Sequence, residues 1–155
     1  MLHRWSEHNE FDQRRQLAEL RQLTEFLYSV SPDIPWHVTA FHKDYKMTSP
    51  EDTRAEDLLR AAAIGREAGL RYVYAGNLPG RVGNLEDTHC HQCAETLIRR
   101  YGYMIEEYRL TPEGNCPACH VALPGRWSRQ FDGQIASRPF LPRRRAQLVR
   151  ILTRQ

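Results

Sequence analysis

The stretch GNCPACHVALPG, residues 114–125, decides how the chain is read. Its centre, CPACH from Cys116 to His120, has two meanings. C-x-x-C-H is an attachment signature for c-type haem, and C-P-x-C is a common zinc knuckle. The choice depends on what lies upstream. Cys90-x-x-Cys93 precedes Cys116-x-x-Cys119 with 22 residues between the pairs. A two-residue spacer turns both thiolates of a pair toward one ion, and a strand hairpin between the pairs brings them face to face. The pattern therefore predicts one tetrahedral metal held by Cys90, Cys93, Cys116 and Cys119. Soft thiolates favour zinc, and a rubredoxin-like iron fits the same ligands. Four thiolates form a closed shell with no open position for catalysis. His89, His91 and His120 stand beside the knuckles as neighbours or substitute ligands. The haem reading leaves Cys90 and Cys93 without a role and requires an exported chain.

The rest of the composition is consistent with an intracellular metal site. The 155 residues are 41% hydrophobic and 26% charged, as in ordinary globular proteins. No apolar run approaches the roughly 18 residues that a membrane span needs. The N-terminus is charged from the start, so the expectation is a cytoplasmic chain without a signal peptide. In a reducing compartment, four cysteines point to metal ligands before disulfides.

Working back toward the N-terminus, the pattern becomes α/β. Leu17, Leu20, Leu23, Leu27 and Val30 recur at helical steps and predict a helix over 11–30. Two prolines in SPDIP end it. IPWHVTAF (34–41) reads as a strand. SPED (49–52) reads as a helix start, with Ser49 as cap, Pro50 in the first turn and Asp52 completing a capping box. That helix runs to about Ala68, offering Leu58, Leu59, Ala62, Ile64 and Ala68 to a core, and Gly69 stops it. LRYVYAG (70–76) is a second strand. Helix, strand, helix, strand with short connections predicts parallel strands. NLPGRVGNLEDT (77–88) reads as a linker to the cysteine unit. Such a small sheet leaves an exposed apolar edge, with Trp36, Val38, Ala40, Tyr72 and Tyr74 in or near it.

Four blocks carry a more specific likeness: DIPWHVTAFHKDYKMT (33–48), GREAGLRYVYAGNLPG (65–80), CHQCAETLIRRYGYMI (90–105) and GNCPACHVALPGRW (114–127). Together they resemble the C-terminal region of the radical S-adenosylmethionine protein of the AmmeMemoRadiSam system, a family similar to pyruvate formate-lyase activating enzymes. The resemblance, from about Phe11 to Trp127, implies a partial (βα) barrel in residues 1–80; the cysteine spacing adds a four-cysteine zinc-ribbon or rubredoxin-like unit in 81–127, and the composition a basic tail in 128–155. It also implies that His42, after a barrel strand, faces the S-adenosylmethionine side, with Asp44, Tyr45 and Lys46 in the following loop. The family's chemistry needs a C-x-x-x-C-x-x-C loop for a [4Fe–4S] cluster. This chain has none, because all four of its cysteines are in the two knuckles. The cluster and S-adenosylmethionine would then require a second chain supplying the N-terminal barrel.

The stretch from Val121 to Gln155 holds eight arginines and one acid, Asp132. RRRAQLVRIL (143–152) suits a short amphipathic helix. With Trp127, Phe131 and Phe140 interleaved, the tail is a candidate nucleic-acid contact, or a solvated arm. Three functional readings follow. One is a non-catalytic C-terminal portion of a radical S-adenosylmethionine protein. The second is a zinc-ribbon module that binds protein or nucleic acid. The third is a haem protein. Self-association through the sheet edge is an additional expectation.

Overall fold

The computed structural model describes residues 3–127, and side chains from Arg14 onward. The amphipathic segment 143–152 and the aromatic residues Phe131 and Phe140 lie outside the described residues. The elements are α1 (His3–Val30), β1 (Trp36–Thr39), α2 (Ala55–Glu67), β2 (Val73–Gly76), β3 (Thr88–His89), β4 (Thr96–Tyr101) and β5 (Met104–Tyr108). Among the described residues, no helix is long and apolar enough to cross a membrane.

Helix α1 turns Leu20 and Leu27 onto the core, and Thr24 between them is fully buried. Its hydroxyl is satisfied by bonding back to the carbonyls of Leu20 and Arg21, each at 3.0 Å. The helix ends where Asp33 N–H donates to Ser31 Oγ. Strands β1 and β2 pair in parallel, Trp36 opposite Val73 and Thr39 opposite Gly76, with α2 as the crossover between them. Alternation then sorts the side chains. Trp36, Ala40, Val73 and Ala75 are buried in the core with Leu58, Ala61 and Ala62 of α2, and Val38 packs against it. His37 and Thr39 project from the other face and are exposed.

The expected α/β unit is present, and the described residues form one β1–α2–β2 crossover, with no further barrel strand paired to it. Four local readings change. Helix α2 begins at Ala55, not near Ser49. The reason is that Asp52, expected to complete the capping box, is used elsewhere: its Oδ1 accepts the Lys43 N–H at 2.8 Å, and the next side chain is tied to the same loop, Thr53 Oγ1 accepting the Phe41 N–H at 3.0 Å. The segment 77–88 is not a linker. Val82 and Leu85 are buried in the first core, and the Leu85 carbonyl accepts the Ala75 N–H. Trp36, Ala40 and Tyr72 are buried, so they form no exposed apolar edge. Leu59, offered to the core, is exposed instead.

The C-terminal end of α2 is closed as expected. Gly69, at φ +97°, lets its own N–H reach Arg66 O and the Leu70 N–H reach Gly65 O. Gly65 itself sits against the indole of Trp36, where an added Cβ would come within 2.5 Å of the ring. Alanine normally stabilises a helix interior by about 1 kcal/mol over glycine. Here the sign should reverse: Gly65→Ala is expected to destabilise the chain by about 1–3 kcal/mol through overpacking. Urea denaturation of the metal-loaded protein measures it, and a stabilised variant would refute the close packing of α2 on β1.

Candidate metal centre

The cysteine unit is an antiparallel sheet in the order β3–β4–β5. A short turn through Gly102 and Tyr103 joins β4 to β5, with Tyr101 opposite Met104. Cross-strand ion pairs Arg99–Glu107 and Arg109–Glu95 line the hairpin. Its core is small: Leu97, Ile98, Leu110 and Leu123, together with Cys90 and Cys116. Trp127 packs against this cluster and donates its indole N–H to Leu123 O at 3.0 Å.

The two knuckles are built alike. In the first, Cys90 N–H donates to Glu95 O and Ala94 N–H returns to Cys90 O. In the second, Cys116 N–H donates to Val121 O and His120 N–H returns to Cys116 O. Ala94 and His120 both occupy the left-handed region, at φ 61° and 60°. His120 is therefore the structural counterpart of Ala94. Its place in CPACH is that of a turn-closing residue, and the matching position in the other knuckle carries no ligand atom at all.

The knuckles bring all four sulfurs to within 4.8 Å of one another. The closest approaches cross between knuckles: Cys90 Sγ to Cys119 Sγ is 3.5 Å, and Cys93 Sγ to Cys116 Sγ is 3.7 Å. A disulfide requires about 2.05 Å, so these are free thiols. A zinc ion with bonds of about 2.3 Å in tetrahedral geometry separates its sulfurs by roughly 3.8 Å. The donor set fits a four-thiolate ion in both chemistry and spacing. Sharing all four cysteines in one cluster also removes the pair that a haem attachment needs.

The electrostatics agree. Desolvation opposes ionisation of the buried Cys116 thiol, but the N–H groups of Cys119 and Ala118 and the neighbouring thiols outweigh it and bring its pKa down to about 7. The N–H of Glu95 favours the Cys93 thiolate, but burial and the three other sulfurs prevail and push that pKa up to about 12. Cys119 is also raised: Val121 N–H favours its thiolate, but burial and the sulfurs of Cys90 and Cys116 prevail. Clustered thiols thus resist shared ionisation until a cation joins them. At neutral pH, loading a divalent ion must displace the protons of at least Cys93 and Cys119.

The flanking histidines turn outward from the sulfurs. His89 Nδ1 bonds Thr96 Oγ1 at 3.2 Å. His91 Nδ1 lies 2.8 Å from the Tyr72 hydroxyl. Burial first, then the charge of Asp33, push the Tyr72 pKa to about 12, so the phenol stays protonated beside the imidazole. This bond, with Tyr74 Oη to Thr88 Oγ1 at 3.1 Å, ties the ribbon to β2. Glu86 adds a third tie: its carboxylate accepts the N–H groups of Gly80 and Gly102, each at 2.9 Å. In the sequence Tyr72 stands out only as a strand residue and Glu86 only as part of an expected linker, because no local pattern records the partner of either. His42 lies elsewhere, exposed in the loop after β1 and beside Glu51, Asp52, Arg54 and Arg81. It is not brought to the four cysteines.

The matched knuckles set a test. A non-glycine residue in the left-handed region costs about 1–2 kcal/mol. Ala94→Gly should therefore stabilise the chain by about 1 kcal/mol, and His120→Gly should keep full metal content. Denaturation and metal analysis measure both. Loss of metal from His120→Gly would make His120 a ligand after all.

Comparison with known proteins gives one relative to report. The chain is 40% identical over 88 residues to an uncharacterized protein, MJ0808, of Methanocaldococcus jannaschii. The match covers 56% of this chain and 26% of that protein, so the chain spans about a quarter of its relative's length. No family model and no solved structure matches the chain.

Proposed function

We propose that this protein is a zinc-stapled binding module, whose Cys90, Cys93, Cys116 and Cys119 hold one structural metal ion. The observation that carries this reading is the pair of cross-knuckle sulfur distances, 3.5 and 3.7 Å, among four free thiols. The ion completes a core too small to hold the ribbon unaided. With every thiolate engaged, the metal has no vacant position and serves architecture, not catalysis. The ribbon then fixes β2 through Tyr72 and Tyr74, which makes the sheet a rigid presenting surface.

Metal analysis of the purified chain tests the reading. About one zinc per chain is expected, exchangeable for cobalt with a tetrathiolate spectrum. Binding should release more than two protons at pH 7, and affinity should fall as pH falls, because protons compete for the same sulfurs. Cys116→Ser should abolish stoichiometric loading and unfold the ribbon. Iron bound in place of zinc would keep the ligand set and change the metal. No bound metal, or a disulfide in the reduced preparation, would overturn the assignment.

A second reading takes the chain as the C-terminal portion of a radical S-adenosylmethionine protein of the activating-enzyme type. The parallel β1–α2–β2 unit followed directly by the ribbon is the observation that favours it. On this reading His42 faces S-adenosylmethionine, and another polypeptide supplies the cluster cysteines. Co-expression with a neighbouring frame that encodes C-x-x-x-C-x-x-C, followed by co-purification, decides it. Failure of any such frame to associate removes this reading and leaves the metal site untouched.

A further inference from the structure

In a parallel pair each strand turns alternate peptide groups toward its neighbour. The N–H groups of Trp36 and Ala40 bond to Tyr72 O and Gly76 O. His37 and Thr39 therefore direct their N–H and C=O groups to the opposite edge of β1. Among the described residues, no strand pairs with that edge. Its limits are set by chemistry. Pro35, at one end, has no N–H. At the other end the backbone of Phe41 is already bonded by Thr53, which both donates its N–H to Phe41 O and accepts the Phe41 N–H on Oγ1. A ladder of two N–H and two C=O groups remains between these limits.

The face beside this edge is also unusual for a parallel sheet, which is ordinarily apolar on both sides. The imidazole of His37 stacks on the ring of Tyr74 at 4.7 Å, with the planes within 22°. Tyr74 is held in place by Thr88. The two rings stand as the start of a row across the sheet, and His37, the outer one, is exposed. Next to them is a cleft of about 480 Å³, lined by Pro35, His37, Thr39 and Tyr74 and, from the hairpin of the ribbon, Tyr103. Tyr103, on the turn of that hairpin, is fully exposed.

We propose that β1 is a docking edge for a short extended segment of another polypeptide, one that carries an aromatic residue opposite His37. The segment adds a strand through the peptide groups of His37 and Thr39. Its aromatic side chain becomes the third ring in the His37–Tyr74 row and enters the cleft under Tyr103. Backbone bonds supply the affinity and the ring supplies the selectivity, as in other strand-addition complexes. Only four backbone groups are offered, so the interaction is weak, with a dissociation constant on the order of 100 μM for an isolated peptide.

The test uses the full zinc-loaded chain. Amide exchange of His37 and Thr39 should be fast in the free protein. Slow exchange in a monomer would mean that the chain's own residues cover the edge. Slow exchange in a dimer would mean that a second copy does. Either overturns the proposal. The binding probe is a short blocked peptide of alternating valine and threonine with one central tyrosine, and the control carries aspartate in place of tyrosine. Fluorescence anisotropy should show binding of the first and at least about tenfold weaker binding of the second. Thr39→Pro removes an edge N–H that faces away from β2, a position where proline is tolerated. It should abolish peptide binding while circular dichroism and zinc content stay unchanged. His37→Ala should weaken the tyrosine peptide alone and so erase the preference over aspartate. No peptide binding up to millimolar concentration, or equal binding by Thr39→Pro, would refute the docking edge.

Discussion

Four sulfurs within 4.8 Å of one another are the constraint on which the second half of this protein rests. Thiols are weak hydrogen-bond donors and acceptors, and thiolates at such distances repel. One divalent cation resolves both problems at once. Cys90 and Cys116 are buried among Leu97, Ile98, Leu110 and Leu123, so the ion site and the small apolar core are one structure. The strands of the ribbon are too short and too few to supply that stability alone. An ion held there would also order the sheet indirectly. His91 lies between Cys90 and Cys93, and its ring nitrogen shares a hydrogen bond with the hydroxyl of Tyr72 just before β2. The metal site thereby fixes a contact in the α/β layer without any ligand coming from it.

The polar joint between the two layers shows how buried charge is accommodated. Glu86 and Asp87 are buried, yet both are satisfied by backbone donors. Glu86 takes two glycine N–H groups, and Asp87 Oδ1 takes the Arg100 N–H at 2.8 Å. Arg100 in turn donates to Glu86 O and to Thr88 Oγ1. Desolvation is thus offset bond by bond. No buried side-chain polar atom among the described residues lacks a partner. Such a network fixes orientation in a way that apolar packing does not, because each donor has a direction.

The legible parts of the sequence were those governed by local spacing. Two C-x-x-C pairs reveal a ligand set because each knuckle is four residues of chain. Leu20 and Leu27 reveal a helix face because they lie two turns apart. Gly69 reveals a helix end because only its own φ is at issue. The misread parts depend on distant partners. Asp52 looks like a capping-box residue, but the Lys43 N–H claims it through a loop that no local pattern records. Val82 and Leu85 are isolated apolar residues among glycines and polar residues, so their segment reads as a linker until β2 is placed beside Leu85. In CPACH the histidine is the conspicuous residue, yet its backbone angle explains its position, and Ala94 shows that the turn needs no imidazole.

The sheet has two unlike faces, and this decides what kind of surface it can be. Trp36, Val38 and Ala40 with Val73 and Ala75 make one apolar side, and α2 covers it so closely that Gly65 touches the Trp36 ring. His37, Thr39, Tyr74 and Gly76 make the other. A second layer of helices would gain little there, since an imidazole, two hydroxyls and a bare backbone give small apolar area to bury. The pattern is that of a face meant to remain in contact with water or with polar groups. Hydrogen bonds and ring stacking are the interactions this face can offer, and both are directional. A rigid support is then worth more than a large contact area, and the four-cysteine ribbon supplies that support from the β2 side through Tyr72 and Tyr74.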